Sequence, residues 1–357
     1  MSIPSPTAPR EVIRWGIVGC GDVTEVKSGP GLQRARGSQL VAVMRRNGTL
    51  AADYARRHGV PRWYDDVHAL VHDPEVDAVY IATPPGAHLE GVRLALAAGK
   101  PVYVEKPMAR NTSECDAMLA ASAAARQKLF VAYYRRALPR FLKVKEILAS
   151  GTLGRLTAVS YRQSMPLPAN ANLATGGWRL AVENSGGGLL LDVGSHVLDL
   201  LDFYCGPLPV DSVHAHAARL SRDSDAEDAV TMTFRTAAGV PGFAAWNFAS
   251  HVREDVLEFT GTAGRISLAV FTSDPLRLET ARGVESLDLP TPLHIAQPLI
   301  QTVVDDLLGR GTCPSTGDSA RRTSVIMDRI LTDYYGGRED AFWTRPHSWP
   351  GRQANGV

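Results

Sequence analysis

Over the first third of the chain, short apolar runs alternate with stretches of helical periodicity. Residues 12–18, 39–44, 77–82, 101–104 and 129–132 read as strands, with a further short strand at Trp63 and Tyr64. Between them, apolar residues recur at helical spacing over about 23–36, 50–58, 86–98 and 113–126. Strand–helix alternation of this kind builds a parallel sheet covered on both faces.

After Tyr133 the pattern changes. A helix over 140–149 and a strand over 155–163 lead into a Gly-rich stretch with a long apolar helix over 185–204. Runs of strand character follow at 210–217, 229–236, 242–248, 255–260, 265–271 and 276–280, joined by turn signals such as Ala238-Gly239 and Ala263-Gly264. Strands in series predict a mainly antiparallel sheet. Helices over 294–308 and 317–334 close the domain, and a polar tail rich in Pro and Trp begins at 336. The expected organisation is a flexible N-terminus (1–10), a doubly wound α/β domain (11–132), a second α/β domain (133–335) and the tail (336–357). A chain of 357 residues is long enough for two cores.

Composition narrows the function classes. Formal net charge is +1, so no large basic field is present to hold a nucleic acid. The four cysteines, Cys20, Cys115, Cys205 and Cys313, are widely spaced and suggest neither a zinc site nor a disulfide scaffold, which fits a reducing cytoplasm. No apolar run is long enough to span a bilayer, and residues 1–10 lack the core of a secretory signal. No membrane partner is expected, and the expected location is cytoplasmic.

Candidate chemistry begins at Gly16-Ile17-Val18-Gly19-Cys20-Gly21, where the first strand meets the first helix. Gly19 permits a tight turn, Gly21 lets backbone approach a pyrophosphate, and the helix N-terminus turns its free N–H groups toward the phosphates. Thr24 stands where a third glycine is usual, a small residue that can still pack helix on strand. The second strand ends in Arg45-Arg46 with no acidic residue. A carboxylate there would take the ribose hydroxyls of NAD, whereas a guanidinium forks onto the 2′-phosphate of NADP. NADP(H) is therefore the preferred cofactor, with NAD(H) the alternative.

Lys106, in Glu105-Lys106-Pro107, ends the strand over 101–104, where strand ends of a doubly wound sheet face the ligand crevice. Farther on, Gly186-Gly187-Gly188 precedes Asp192, His196 and Asp199. On a regular helix Asp192 and His196 share one face, and a carboxylate beside a histidine orients the ring and favours its protonated form. A histidine that takes and returns one proton near neutral pH suits oxidation of a secondary alcohol. Asp and His at this spacing could also hold a metal, but no third ligand cluster is visible, and the reading is that no metal is bound.

In its ordered motifs the chain resembles the glucose–fructose oxidoreductase / inositol dehydrogenase / rhizopine-catabolism (Gfo/Idh/MocA) family. The motifs are GIVGCG at 16–21, ATPPGAH at 82–88, VEKPM at 104–108 and GGGLLLDVGSHVLDLL at 186–201. The resemblance implies an N-terminal Rossmann domain and a C-terminal α/β domain whose open-faced sheet makes a homodimer or homotetramer. It implies that Lys106 and His196 flank the reacting carbon with Asp192 in support. It further implies cofactor contacts from Gly19, Gly21, Asp22, Val23, Arg45 and Arg46, from Thr83, Pro84, His88 and Glu105, and from Trp178 and Arg179. Substrate contacts are implied at Tyr134, Tyr161 and Gln163, with Asp199 structural. The activity implied is hydride transfer to or from a secondary alcohol of a sugar, polyol or cyclitol. Two alternatives stay open: permanently bound NADP(H) in a hydride-borrowing cycle, and a non-catalytic nucleotide sensor.

Overall fold

A computed structural model describes residues 11–167, 177–221 and 224–353. The first sheet is formed by β1 (Ile13–Val18), β2 (Ser38–Met44), β3 (Arg62–Tyr64), β4 (Ala78–Ile81), β5 (Val102–Val104) and β6 (Leu129–Val131). All its pairings are parallel, and the order is β3-β2-β1-β4-β5-β6. The order reverses between β1 and β4, and the crevice beyond the carboxyl ends of these strands is where such sheets bind ligands. The covering helices are α1 (Asp22–Val26), α2 (Gly29–Arg34), α3 (Gly48–His58), α4 (Val67–Val71), α5 (His88–Ala97) and α6 (Thr112–Ala125). The single helix expected over 23–36 is thus two. Pro30 has no N–H to continue a ladder, and Gly29 lies so close to α1 that a Cβ there would sit 2.2 Å from the Thr24 carbonyl oxygen.

After α7 (Pro139–Ala149) comes β7 (Leu156–Ser164). The short α8 (Val182–Ser185) and a π-helical turn over Leu190–Gly194 then lead into α9 (Ser195–Cys205). The second sheet adds β8 (His214–Ala218), β9 (Ala229–Arg235), β10 (Pro241–Asn247), β11 (Glu254–Gly261), β12 (Gly264–Leu268), β13 (Leu276–Thr280) and β14 (Gly283–Leu287). Its order is β14-β13-β12-β11-β7-β10-β9-β8, antiparallel except for β7 against β10. In β9 burial alternates strictly, so one face of the sheet is core and the other is open. Strand β14 is absent from the sequence reading because nearly all its residues are exposed and no apolar alternation marks it. The expected strand over 210–217 starts only at His214, after a 3₁₀ turn over Val210–Ser212.

Three closing helices complete the chain: α10 (Gln297–Leu307), α11 (Gly317–Tyr335) and α12 (Pro350–Gln353). Leu299, Ile300, Val303 and Val304 of α10 pack with Trp15, Ile17 and Tyr80 of the first sheet, not with the second. Ser315, just before α11, bonds Val131 of β6 through both its carbonyl and its hydroxyl. The chain therefore returns to the first domain before it ends, and a boundary at 133 divides it only in part.

The tail from 336 is less polar than its composition suggests. Arg338 is 1% exposed, and Phe342 and Trp349 are buried beside Tyr335. The Arg338 guanidinium donates to Asp328 (2.7 Å), to the Gly186 carbonyl (2.8 Å) and to the Arg110 carbonyl (2.6 Å). It so ties the segment after β5 to the triple glycine. Arg338→Ala leaves the Asp328 carboxylate with only the Thr112 N–H and frees two carbonyls, and should cost about 3 kcal/mol. Urea denaturation checks this, and an unchanged midpoint would remove the tail from the account of stability.

Candidate functional site

At the Gly-rich turn, Gly19 has φ +91°, and a Cβ on it would lie 2.9 Å from the Thr83 methyl. Only glycine fits both the backbone and the space. Gly21 faces the other way: a Cβ there would meet nothing nearer than 3.9 Å, so the backbone at the start of α1 is open to a ligand. Asp22 is exposed and Val23 half-buried on the first turn of α1. Thr24 is fully buried and its hydroxyl caps the Gly21 carbonyl at 2.7 Å. Burial pushes the Cys20 thiol up to about 11, so it is a packed residue and not an activated nucleophile. Arg45 and Arg46 are exposed at the end of β2, and neither side chain has a hydrogen bond or ion pair among the described residues.

These features fit a dinucleotide. The open backbone at Gly21 leaves room for a pyrophosphate, two free guanidiniums stand at the end of β2, and the buried Thr83 Oγ1 has no partner. Pro84 follows Thr83 into a 3₁₀ turn over Pro85–Ala87. His88, expected against the cofactor, is instead fully buried. Its ring lies between the Thr83 carbonyl (2.8 Å) and the Met108 carbonyl (3.1 Å), so it braces the loops that follow β4 and β5. Glu105 accepts from the Tyr80 hydroxyl at 2.5 Å, and burial raises its carboxyl above the usual range.

Lys106 follows β5, and its ammonium donates to the Asp192 carboxylate (2.6 Å) and the Asp192 carbonyl (2.7 Å). Arg179 donates to the other Asp192 oxygen at 2.9 Å and stacks on Trp178. One carboxylate is thus shared by two cations. Burial opposes its ionisation, but Lys106 and Arg179 outweigh burial and hold it below the usual carboxylate range.

The expected Asp192–His196 partnership does not form. The π-helical turn puts the Ser195 N–H on the Leu190 carbonyl, five residues back, and this extra residue takes Asp192 off the face that carries His196. His196 is 5% exposed, Nδ1 has no hydrogen-bond partner, and Tyr134 and Phe271 meet the ring edge-on at 5.3 and 6.0 Å. Burial, then Arg135, Lys106 and Lys27, hold its pKa well below the ordinary value, so the ring is neutral rather than protonated. Asp199, on α9, accepts a two-point ion pair from Arg136, from Nε at 2.9 Å and from Nη2 at 2.8 Å, in full burial, which is an architectural role.

Of the other substrate candidates, Tyr134 lies beside His196. Gln163 is buried with Oε1 unpartnered. Tyr161 is drawn into the core, its hydroxyl donating to Asp255 at 3.1 Å and its ring tilted on Trp246, so it offers no polar group to the crevice. Residues 164–177, rich in Pro, Asn and Ala, read from sequence as a loop over the site, and most of them lie outside the described residues. Two residues that sequence reasoning missed are Lys27 and Arg135. Lys27 follows α1 and acts on both Glu105 and His196, yet no motif marks it. Arg135 adjoins Tyr134, and that adjacency was the available signal.

The chain is similar to known oxidoreductases. Residues 13–133 match a family model described as "Oxidoreductase family, NAD-binding Rossmann fold", and residues 141–267 match the "GFO/IDH/MocA C-terminal domain". The chain is 36% identical to Oxidoreductase P35 of Formosa agariphila over 88% of this chain and 97% of that protein. It is 29% identical to 1,5-anhydro-D-fructose reductase of Ensifer adhaerens, over 85% and 91%. It is 30% identical to trans-1,2-dihydrobenzene-1,2-diol dehydrogenase of Bos taurus, over 72% and 74%. In fold it is similar to levoglucosan dehydrogenase in complex with NADH and levoglucosan, with a TM-score of 0.80, 23% identity and coverage of 89% and 96%.

Proposed function

Because the chain belongs to the Gfo/Idh/MocA family of oxidoreductases, we propose that it moves a hydride between NADP(H) and a secondary alcohol or ketone of a sugar, polyol or cyclitol. The observation that carries the reading is one pairing: the Lys106 ammonium fixed on Asp192, in the same crevice as a neutral His196 with an unpartnered Nδ1. The bound nicotinamide supplies the carbon that accepts or donates the hydride. His196, already neutral, takes the substrate hydroxyl proton, and Lys106 turns an N–H toward the oxygen as negative charge grows there. Asp192 keeps the Lys106 ammonium in place. The related reductase and dehydrogenases act, by their names, on anhydrofructose, a dihydrodiol and levoglucosan, which supports a polyhydroxylated substrate.

The preference for NADP(H) rests on Arg45 and Arg46, free at the end of β2 with no acid beside them. Levoglucosan dehydrogenase, alike in fold, holds NADH, so NAD(H) is the alternative to be tested. Tryptophan fluorescence titration should show tight NADPH and weak NADH binding. Arg45→Ala or Arg46→Ala should weaken NADPH about tenfold or more, with little change for NADH. Tighter binding of NADH by the unaltered protein would overturn the cofactor choice and leave the dehydrogenase reading standing. We further propose that the open face of the second sheet, where Phe243 is exposed, joins copies of the chain into a dimer or tetramer. Light scattering of a monomer at micromolar concentration would contradict that.

A further inference from the structure

We propose that the substrate carries a carboxylate, as a uronic or other sugar acid does, and that Arg135 receives it beside His196. This rests on the oxidoreductase reading above and names its substrate class. Arg135 lies in the 3₁₀ turn Tyr134–Ala137 that follows β6, and is 6% exposed. Its guanidinium is stacked against the rings of Tyr134 (4.9 Å) and Phe271 (4.5 Å), the same two rings that wall His196. Its donors reach only neutral acceptors: Nε the Val270 carbonyl at 3.1 Å and Nη1 the Tyr134 hydroxyl at 3.0 Å. Among the described residues Nη2 has no hydrogen bond and the guanidinium no ion pair.

A buried cation without an ion-pair partner is costly, and neighbouring residues show how this fold ordinarily meets that cost. Arg136 is as deeply buried but has the carboxylates of Asp199 and Asp202. Arg140 has its donors on the carbonyls of Ala269, Thr272 and Asp274, on either side of Phe271. Asp255 is the carboxylate that attracts Arg135, but it makes no ion pair with it: its oxygens accept from the Tyr161 hydroxyl (3.1 Å) and the Phe271 N–H (2.6 Å), and burial raises its carboxyl above the usual range. Lys106 and Arg179 already share Asp192. Around His196, Arg135, Lys106 and Lys27 all oppose a further positive charge, and the Arg135 Nη2 is left for a ligand. A carboxylate monoanion matches that one free nitrogen and its charge, whereas a phosphate ester brings a second charge with no second free cation at Arg135. Anchored there, the sugar acid presents its ring hydroxyls to Lys106 and His196. The hydride step itself is unchanged, since the carboxylate binds and does not react.

The test is calorimetry on the full chain saturated with NADPH, using glucuronate, galacturonate and mannuronate, each against its neutral hexose and its hexose 6-phosphate. At least one uronate should bind at least about tenfold more tightly than its hexose. Arg135→Met should erase that preference, Arg135→Lys should keep part of it, and both should bind NADPH as the unaltered protein does. Hexoses binding as well as uronates throughout, phosphates binding better than uronates, or Arg135→Met weakening NADPH would each overturn the proposal. The hydride-transfer reading is followed separately by absorbance at 340 nm with NADP⁺. Preferred uronate binding without any NADPH formed supports the anion site and counts against the enzyme reading, so the two failures are told apart.

Discussion

Lys106→Ala is expected to lower turnover at least about a hundredfold while NADPH affinity changes little. The ammonium is held 2.6 Å from the Asp192 carboxylate and 2.7 Å from its carbonyl, and the loop that carries it is braced by His88 through Met108. Its position is set before substrate arrives, so in the proposed role its hydrogen bond to the reacting oxygen would strengthen as charge develops without any reorganisation. Removal of one such donor characteristically costs about a hundred- to a thousandfold in rate. Lys106→Arg should not rescue activity, because a planar fork cannot reproduce a point charge held on two oxygens of one residue. Steady-state kinetics on the three proteins decide this: a Lys106→Ala enzyme with near-normal kcat would take Lys106 out of the chemistry.

His196 gives the second large effect, and its sign follows from its surroundings. The imidazole is buried against Tyr133, Tyr134 and Phe271, with Arg135, Lys106 and Lys27 disfavouring a further positive charge. The folded ring therefore binds its proton only well below the ordinary histidine value near 6.5. For alcohol oxidation the base is ready throughout the neutral range, and kcat should stay level as pH falls through 6.5, with the acid limb lying well below. His196→Ala should lower kcat about a hundredfold or more and abolish that limb. Stability has the corresponding dependence. Above about 6.5 the ring is neutral in both folded and unfolded chains, and its burial carries no protonation cost. As pH falls below that value the unfolded chain takes up a proton that the folded chain does not, and stability declines. An acid limb at 6.5 or higher would mean that a carboxylate reaches the ring after all.

The strands of the first sheet are legible because buried parallel strands are near-continuous apolar runs, as at Ile13–Val18 and Ala78–Ile81. The Gly-rich turn and Lys106 are legible for the related reason that doubly wound sheets fix where ligands bind. The relation of Asp192 to His196 was not, since it depends on one turn of π-helix over Leu190–Gly194, and no periodicity rule foresees an extra residue in a turn. The ring's protonation was misjudged for that reason: the expected carboxylate neighbour is bound by Lys106 and Arg179 instead. Neither the return of α10 to the first sheet nor the burial of Arg338 could be read from local pattern. Both are contacts between residues far apart in the chain, Ile300 with the first sheet and Arg338 with Gly186.

The most direct test of hydride transfer is the absorbance at 340 nm of the purified chain mixed with NADP⁺ and, in turn, a panel of neutral sugars, polyols, cyclitols and uronates. The account predicts NADPH formation with at least one of them, lost at least about a hundredfold in Lys106→Ala. A protein that binds NADPH reversibly yet forms none with any member of the panel, and oxidises none with the corresponding ketones, would contradict it.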